Sequence, residues 1–136
     1  MTDCVFCKIV AGQIPATKVY EDEATLAFMD IGHVNPGHVL VALKPHVENV
    51  YGLEEGQAGA VFRTVARVAR AIRAAFTPAG LSVYQANGKP AGQTVFHFHV
   101  HLVPRHDDDG MALTWPVKNP PREVLEAYAA RIRAAF

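Results

Sequence analysis

The sequence predicts an α+β fold, and three observations predict it. Residues 97–103, HFHVHLV, alternate imidazole and apolar side chains strictly, which is the period of a strand. Residues 54–76 carry Ala58, Val61, Phe62, Val65, Val68, Ala69, Ile72 and Phe76 at intervals of three and four, the apolar stripe of a long helix. Further short apolar runs bounded by Gly, Pro and Asn read as strands, and helices with mainly antiparallel strands in one compact chain define the class. The chain has 136 residues, half of them hydrophobic, which suits one domain over 1–136 with a real core.

Taken in order, residues 4–11 predict a short helix ending at Gly12. Lys18–Glu21 and Thr25–Asp30 flank a polar turn and read as a hairpin. Ile31–Gly37 holds Gly, Asn and Pro and is a loop. Residues 38–44, HVLVALK, form a β-branched strand that Pro45 and His46 end. On the long helix, Arg63, Arg67, Arg70 and Arg73 lie mostly off the apolar stripe, as a solvated face would, and Thr77-Pro78 and Gly80 stop it. Residues 81–87 are a strand, 88–94 a Gly/Pro loop, and Phe96–Val103 the histidine strand, ended by Pro104. A loop from Arg105 to Pro121 leads to a terminal helix over 122–135, with Val124, Leu125, Tyr128, Ile132 and Ala135 on one side.

Thirteen basic and 13 acidic residues balance to zero, which argues against broad binding to nucleic acid or a membrane surface. No apolar run approaches the roughly 20 residues of a membrane span. MTDCVFCKIVAG lacks a basic stretch followed by an apolar one, so a signal peptide is not expected and a cytoplasmic location is. The only cysteines, Cys4 and Cys7, form a C-x-x-C. In a reducing compartment such a pair suggests a metal or redox pair more than a structural disulfide. With His46 and a further histidine it would make a plausible tetrahedral zinc site.

Alternation puts His97, His99 and His101 on one strand face and Phe98, Val100 and Leu102 in a core. Three of the seven histidines in strict alternation are hard to read as a solvated surface. Metal binding, acid–base work and nucleophilic attack are the candidate roles. A neutral imidazole is a competent nucleophile at neutral pH, its unperturbed pKa being about 6.5.

The pattern resembles the histidine triad (HIT) family of nucleotide hydrolases and transferases. FCKIVAGQIPATKVYEDEATLAFMDI, NPGHVLVALKPH and NGKPAGQTVFHFHVHLVPR (signature 92–105) are similar to three regions of that family, together covering about residues 4 to 105. The resemblance implies a five-stranded antiparallel sheet with helices, and a homodimer. It implies that His99 attacks the α-phosphate of a purine nucleotide conjugate, forming a nucleotidyl-histidine that water then hydrolyses. His97, His101 and His38 would complete the histidine cluster. Thr94 matches a hydroxyl that assists the leaving group, Asn87 and Gln93 match positions near the phosphate, and Asp30 matches a ribose-binding carboxylate. Phe6, Ile9, Phe28 and Ile31 match the lining of the base pocket. Read on their own, these four suit an ordinary core, Asp30 a loop cap, Asn87-Gly88 a turn and Thr94 a strand position.

Many bacterial members resemble this chain in a second respect, which implies a closed structural zinc that Cys4, Cys7, His46 and His97 would hold. Zinc held by the triad itself is a rival reading. The bond cleaved would be a phosphoramidate or, alternatively, that of a dinucleoside polyphosphate as main activity; a nucleotide-binding or interaction module with incidental turnover is the other reading. Trp115 loosely matches a C-terminal stretch that reaches across the dimer in some members. Asp107–Asp109 reads as solvated loop, and His33 and His106 are assigned no role.

Overall fold

The computed structural model describes residues 3–112 and 114–136. Five strands, β1 (Lys18–Glu21), β2 (Thr25–Met29), β3 (Val39–Leu43), β4 (Gly80–Tyr84) and β5 (His99–Arg105), make one sheet. Their order is β1-β2-β3-β5-β4, and each neighbouring pair is antiparallel. Three helices accompany it: α1 (Val5–Val10), α2 (Glu55–Phe76) and α3 (Arg122–Arg133). No helix among the described residues is long and apolar enough to cross a membrane.

The pleat sorts the side chains into two layers. Ala27, Val39, Val41, Leu43, Phe98, Val100 and Leu102 pack against Val61, Val65, Val68 and Ile72 of α2. Leu26, Phe28, Leu40 and Ala42 face the other way and pack with Phe6 and Ile9 of α1. Covered on both sides, β3 is buried at every residue, which is why its sequence is continuously apolar instead of alternating. Its register with β5 pairs Leu40 with His101 and Ala42 with His99, placing both histidines on the α1 face.

The stripe of α2 buries one residue that its apolar pattern omits. The Thr64 hydroxyl lies 2.7 Å from that of Thr25, which donates in turn to Asp22 Oδ1. Desolvation would raise the Asp22 carboxyl, but the N–H groups of Thr25 and Ala24 and the hydroxyls of Tyr20 and Thr25 overcome it and hold the group at about 2. Phe62 and Phe76 lie at the margins of the stripe and stay about half exposed. Gly37 abuts Phe76: it has φ +90°, and a Cβ there would come 3.0 Å from the ring.

Several predicted boundaries move. The histidine strand was expected over Phe96–Val103 and instead runs from His99 through Pro104 to Arg105. Phe98 N–H donates to Val47 and its carbonyl accepts from Leu43 N–H, so residues just before His99 follow the irregular chain beyond β3. Pro104 is tolerated because the β3 ladder ends at Leu102, leaving only the pairing with β4. The strand expected over 81–87 ends at Tyr84, where Gln85 and Asn87 turn their amides on each other at 2.7 and 2.8 Å. The predicted apolar side of α3 is present, but α3 buries no side chain among the described residues. Asp109 is not solvated: its carboxylate accepts from Arg105, Asn35 and two backbone N–H groups, closing the turn after β5.

Candidate active site and metal centre

Cys4 caps α1, its Sγ accepting from Cys7 N–H at 3.4 Å, so both thiols emerge from one turn. His46 follows β3, and His97 precedes β5. The His97 Nε2–H donates to the Leu43 carbonyl, which leaves the lone pair on Nδ1. That Nδ1 lies 3.3 Å from Cys4 Sγ, 3.5 Å from Cys7 Sγ and 3.2 Å from His46 Nδ1, and Cys7 Sγ lies 3.3 Å from His46 Nδ1. One lone pair cannot accept from three donors at once. A cation at the point where the four atoms converge satisfies all of them. Tetrahedral zinc, with Zn–S about 2.3 Å and Zn–N about 2.0–2.1 Å, separates its ligand atoms by about 3.3–3.8 Å, so these residues fit. Burial and the neighbouring Cys4 push the Cys7 thiol up, and a thiolate there calls for a positive neighbour.

The three triad histidines do not converge on one point. His97 faces the thiols, whereas the His99 Nδ1–H donates to the His97 carbonyl at 2.6 Å. The free lone pair of His99 is therefore on Nε2. Burial lowers its pKa, against the opposing pull of the His97 carbonyl and Asp30, so the ring is neutral near pH 7. Its ring stacks edge to face on that of His101 with centroids 5.2 Å apart.

His101 leads to a second group. Val34 N–H donates to His38 Nδ1 at 3.1 Å, so neutral His38 carries its proton on Nε2. That atom lies 2.9 Å from His101 Nδ1 and 3.3 Å from Asp30 Oδ2. His101 Nδ1 thus accepts, and its own proton sits on Nε2, available to a substrate oxygen. Asp30, His38 and His101 are near enough to suggest a metal triad. The protonated His38 Nε2 cannot ligate unless Val34 turns away, so hydrogen bonding is the consistent reading.

Burial first, then the nearness of His99 and His38, lowers the His101 pKa from 6.5 to about 4, with Asp30 opposing. Between those values the unfolded chain binds the proton that the folded chain refuses, so stability falls as pH drops from about 6.5 to about 4. The loss is at most about 3 kcal/mol for this residue. Urea midpoints at pH 7 and pH 4.5 measure it, and His101→Gln should show a visibly smaller difference than the wild type.

The structure distributes the other expected residues unevenly. Phe6, Ile9 and Phe28 are buried between α1 and the sheet, whereas Ile31 is fully exposed at 103 % on the loop after Asp30. Asn87 spends its amide on Gln85 and on Val50 N–H. Gln93 is buried, accepting from Gly88 N–H and donating to the Glu48 and Val95 carbonyls, so it builds the loop before Thr94. Thr94 is exposed and lines a groove of about 470 Å³ with His46, Glu48 and Phe96. Trp115 is exposed. Sequence reading missed the Asp109–Arg105 clasp; within a run of three aspartates nothing marks Asp109 from its neighbours.

A family model described as the HIT domain matches residues 11–108. The chain belongs to the histidine triad family. The protein hit of Bacillus subtilis is 51% identical over 114 residues, which cover 83% of this chain and 79% of that one. The adenosine 5′-monophosphoramidase of Schizosaccharomyces pombe is 37% identical over 114 residues, 83% of each chain. A crystal structure of a HIT family protein from Bacillus anthracis superposes with TM-score 0.95 at 42% identity, covering 98% of this chain and 97% of that one. A zinc-bound histidine triad protein of Mycobacterium smegmatis superposes with TM-score 0.77 at 35% identity, covering 99% of each. The HIT fold is thus the fold of this chain, and nucleotide hydrolysis is an activity named among its relatives.

Proposed function

We propose that this HIT protein hydrolyses purine nucleotide conjugates, with a phosphoramidate of adenosine 5′-monophosphate as the model substrate and His99 as nucleophile. The observation that carries it is the hydrogen-bond pattern of the cluster, which implies a lone pair on His99 Nε2 and, on the neighbouring ring, a proton on His101 Nε2. The His99 lone pair attacks the α-phosphorus. The bond to the leaving group breaks, its electron pair departing with that group, which takes up a proton from solvent water. The His101 Nε2–H donates to the phosphoryl oxygen where charge gathers. Water then attacks phosphorus and releases a proton to solvent, the P–N bond returns its pair to His99, and the nucleoside monophosphate leaves. Thr94 is assigned to the leaving group, Asn87 and Gln93 to the loop beside the phosphate, Asp30 to ribose, and Phe6, Ile9, Phe28 and Ile31 to the base side.

Zinc on Cys4, Cys7, His46 and His97 would be structural, tying α1 to the sheet, with no open position for water. The relative's bound zinc and the converging donors support this reading. A homodimer would form through β4, an unpaired edge without a charged residue, whereas the β1 edge carries Lys18, Glu21 and a bulge. A reduced thiol pair suits the cytoplasm.

The test is turnover of an adenosine phosphoramidate beside diadenosine tetraphosphate, with acid quenching and mass analysis of the protein. The expected result is faster cleavage of the phosphoramidate and a nucleotidyl adduct on the peptide holding His99. Preference for the polyphosphate would move the substrate assignment, and tight nucleotide binding with neither turnover nor adduct would make this a binding module.

A further inference from the structure

We infer that Cys4 and Cys7 form a redox switch: a hydroperoxide closes them into a disulfide, which opens the four-donor cluster and loosens a wall of the nucleotide site. The inference rests on the zinc reading of that cluster. These are the only two cysteines of the chain, so an internal disulfide has one possible pairing. Cys4 caps α1 and its Sγ accepts from Cys7 N–H at 3.4 Å, which turns both sulfurs to the same side of the helix end. Cys4 Sγ and Cys7 Sγ lie 3.3 and 3.5 Å from one atom, His97 Nδ1, and within 4.8 Å of each other. A disulfide needs Cα atoms about 4.4–6.8 Å apart, and residues three apart on a helical turn meet that requirement. Side-chain rotation closes the remaining gap and leaves the backbone bond from Lys8 N–H to the Cys4 carbonyl in place.

Access favours Cys4 as the sulfur that reacts first. It lines the groove of about 470 Å³ beside His46 and Thr94, and Cys7 does not. The Cys4 sulfur attacks one peroxide oxygen, the O–O bond breaks, and a sulfenic acid forms as water leaves. The Cys7 sulfur then attacks that sulfur, the S–O bond breaks, and its oxygen leaves as a second water. The protons come from the two thiols, or from solvent where a metal has displaced them. Two sulfurs lose two electrons in all, and the peroxide is reduced by them. A disulfide sulfur carries no thiolate charge, so the donor set falls to His46 and His97 and a closed structural site is lost. The turn that carries the switch also carries Phe6, which packs on Phe28 at 5.3 Å and on His99 at 4.9 Å. Closing it therefore disturbs the base side of the site. In a reducing compartment the dithiol is the resting form, and thiol exchange restores it.

The test treats zinc-loaded protein with hydrogen peroxide and follows released zinc, free thiols, intact mass and binding of adenosine 5′-monophosphate. About one zinc should leave for every two thiols lost. Each chain should become about 2 Da lighter without cross-linking to another. Nucleotide affinity should fall by up to about tenfold, the value of one aromatic contact, and dithiothreitol with zinc should restore it. Cys7→Ser should stop at the Cys4 sulfenic acid, which dimedone traps, because the second sulfur is missing. Should that variant fail to fold, dimedone trapping on wild type during oxidation decides which sulfur reacts first. Zinc and both thiols retained in excess peroxide, a disulfide between chains, or oxidation that dithiothreitol does not reverse would overturn the inference. So would a disulfide that leaves nucleotide affinity unchanged. A reduced protein without zinc would instead end the zinc assignment, and the mass, thiol count and nucleotide affinity would still decide the switch.

Discussion

His99→Ala will lose about 10⁴-fold or more in turnover of an adenosine phosphoramidate while keeping its affinity for the nucleotide product. The size of the loss follows from the role. No other group in the cluster presents a free lone pair to the same place: His97 Nδ1 faces two thiols and His101 Nδ1 accepts from His38. The alanine variant leaves the His97 carbonyl without its buried donor, which costs about 1–3 kcal/mol, so it should be compared at a temperature where both proteins are folded. Removing the His101 donor should cost less, because backbone N–H groups can still stabilise the phosphoryl oxygens, and removing His38 less again, because it acts only through His101. This graded order separates the nucleophile reading from a zinc hydrolase built on the triad, in which every ligand would matter alike. His99→Gly with added imidazole should recover measurable turnover. A His99→Ala protein within tenfold of wild type would end the nucleophile assignment.

The sheet was legible because its sequence periods are clean. The alternation of 97–103 assigned Val100 and Leu102 to one layer and His99 and His101 to the other, and the register with β3 agrees. The long stripe of α2 placed Val61, Val65, Val68 and Ile72 in the core, but it took in Phe62 and Phe76, which stay about half exposed, and it omitted Thr64, because a hydroxyl paired with Thr25 across the core breaks an apolar pattern without breaking the core. The strand ends were less legible. Where β5 begins depends on Val47 and Leu43, some 50 positions earlier, and where it ends depends on how far β3 extends; neither is a local property. The same holds for Asp109, whose partners Asn35 and Arg105 come together only in the fold. The C-x-x-C alone suggests a metal or redox pair, and only the family resemblance adds His46 and His97 to it; the structure brings these four side chains together. Their mutual distances, and the tautomers that the Leu43 and His97 carbonyls and Val34 N–H impose, were not legible. Those tautomers distinguish a nucleophile from a ligand, and they depend on backbone groups whose positions no side-chain pattern records.

Removing the metal should have the largest effect on stability. In the folded protein, four donors from α1, the turn after β3 and the approach to β5 meet within 4.8 Å of one another, so one ion bound there would join three separate segments. A ligand that binds only the folded state stabilises it by about 4 kcal/mol when its concentration exceeds the dissociation constant a thousandfold. For a chain of this length that corresponds to about 10–20 °C in Tm. Dialysis against a strong chelator, or Cys4→Ser combined with Cys7→Ser, should therefore lower Tm by that amount. Added zinc should restore the chelated wild type but not the double variant. Metal analysis should find about one zinc per chain in the wild type. Serine keeps the hydrogen-bonding capacity of the turn, so the comparison isolates metal binding from simple loss of the cap on Cys7 N–H. A structural ion would supply no reacting group, yet the chelated protein should also lose turnover, since the carbonyl that sets the His99 tautomer belongs to His97, one of the four converging donors. Full zinc content in the double variant, or a Tm indifferent to chelation, would show that these four residues are held by their own hydrogen bonds and not by an ion.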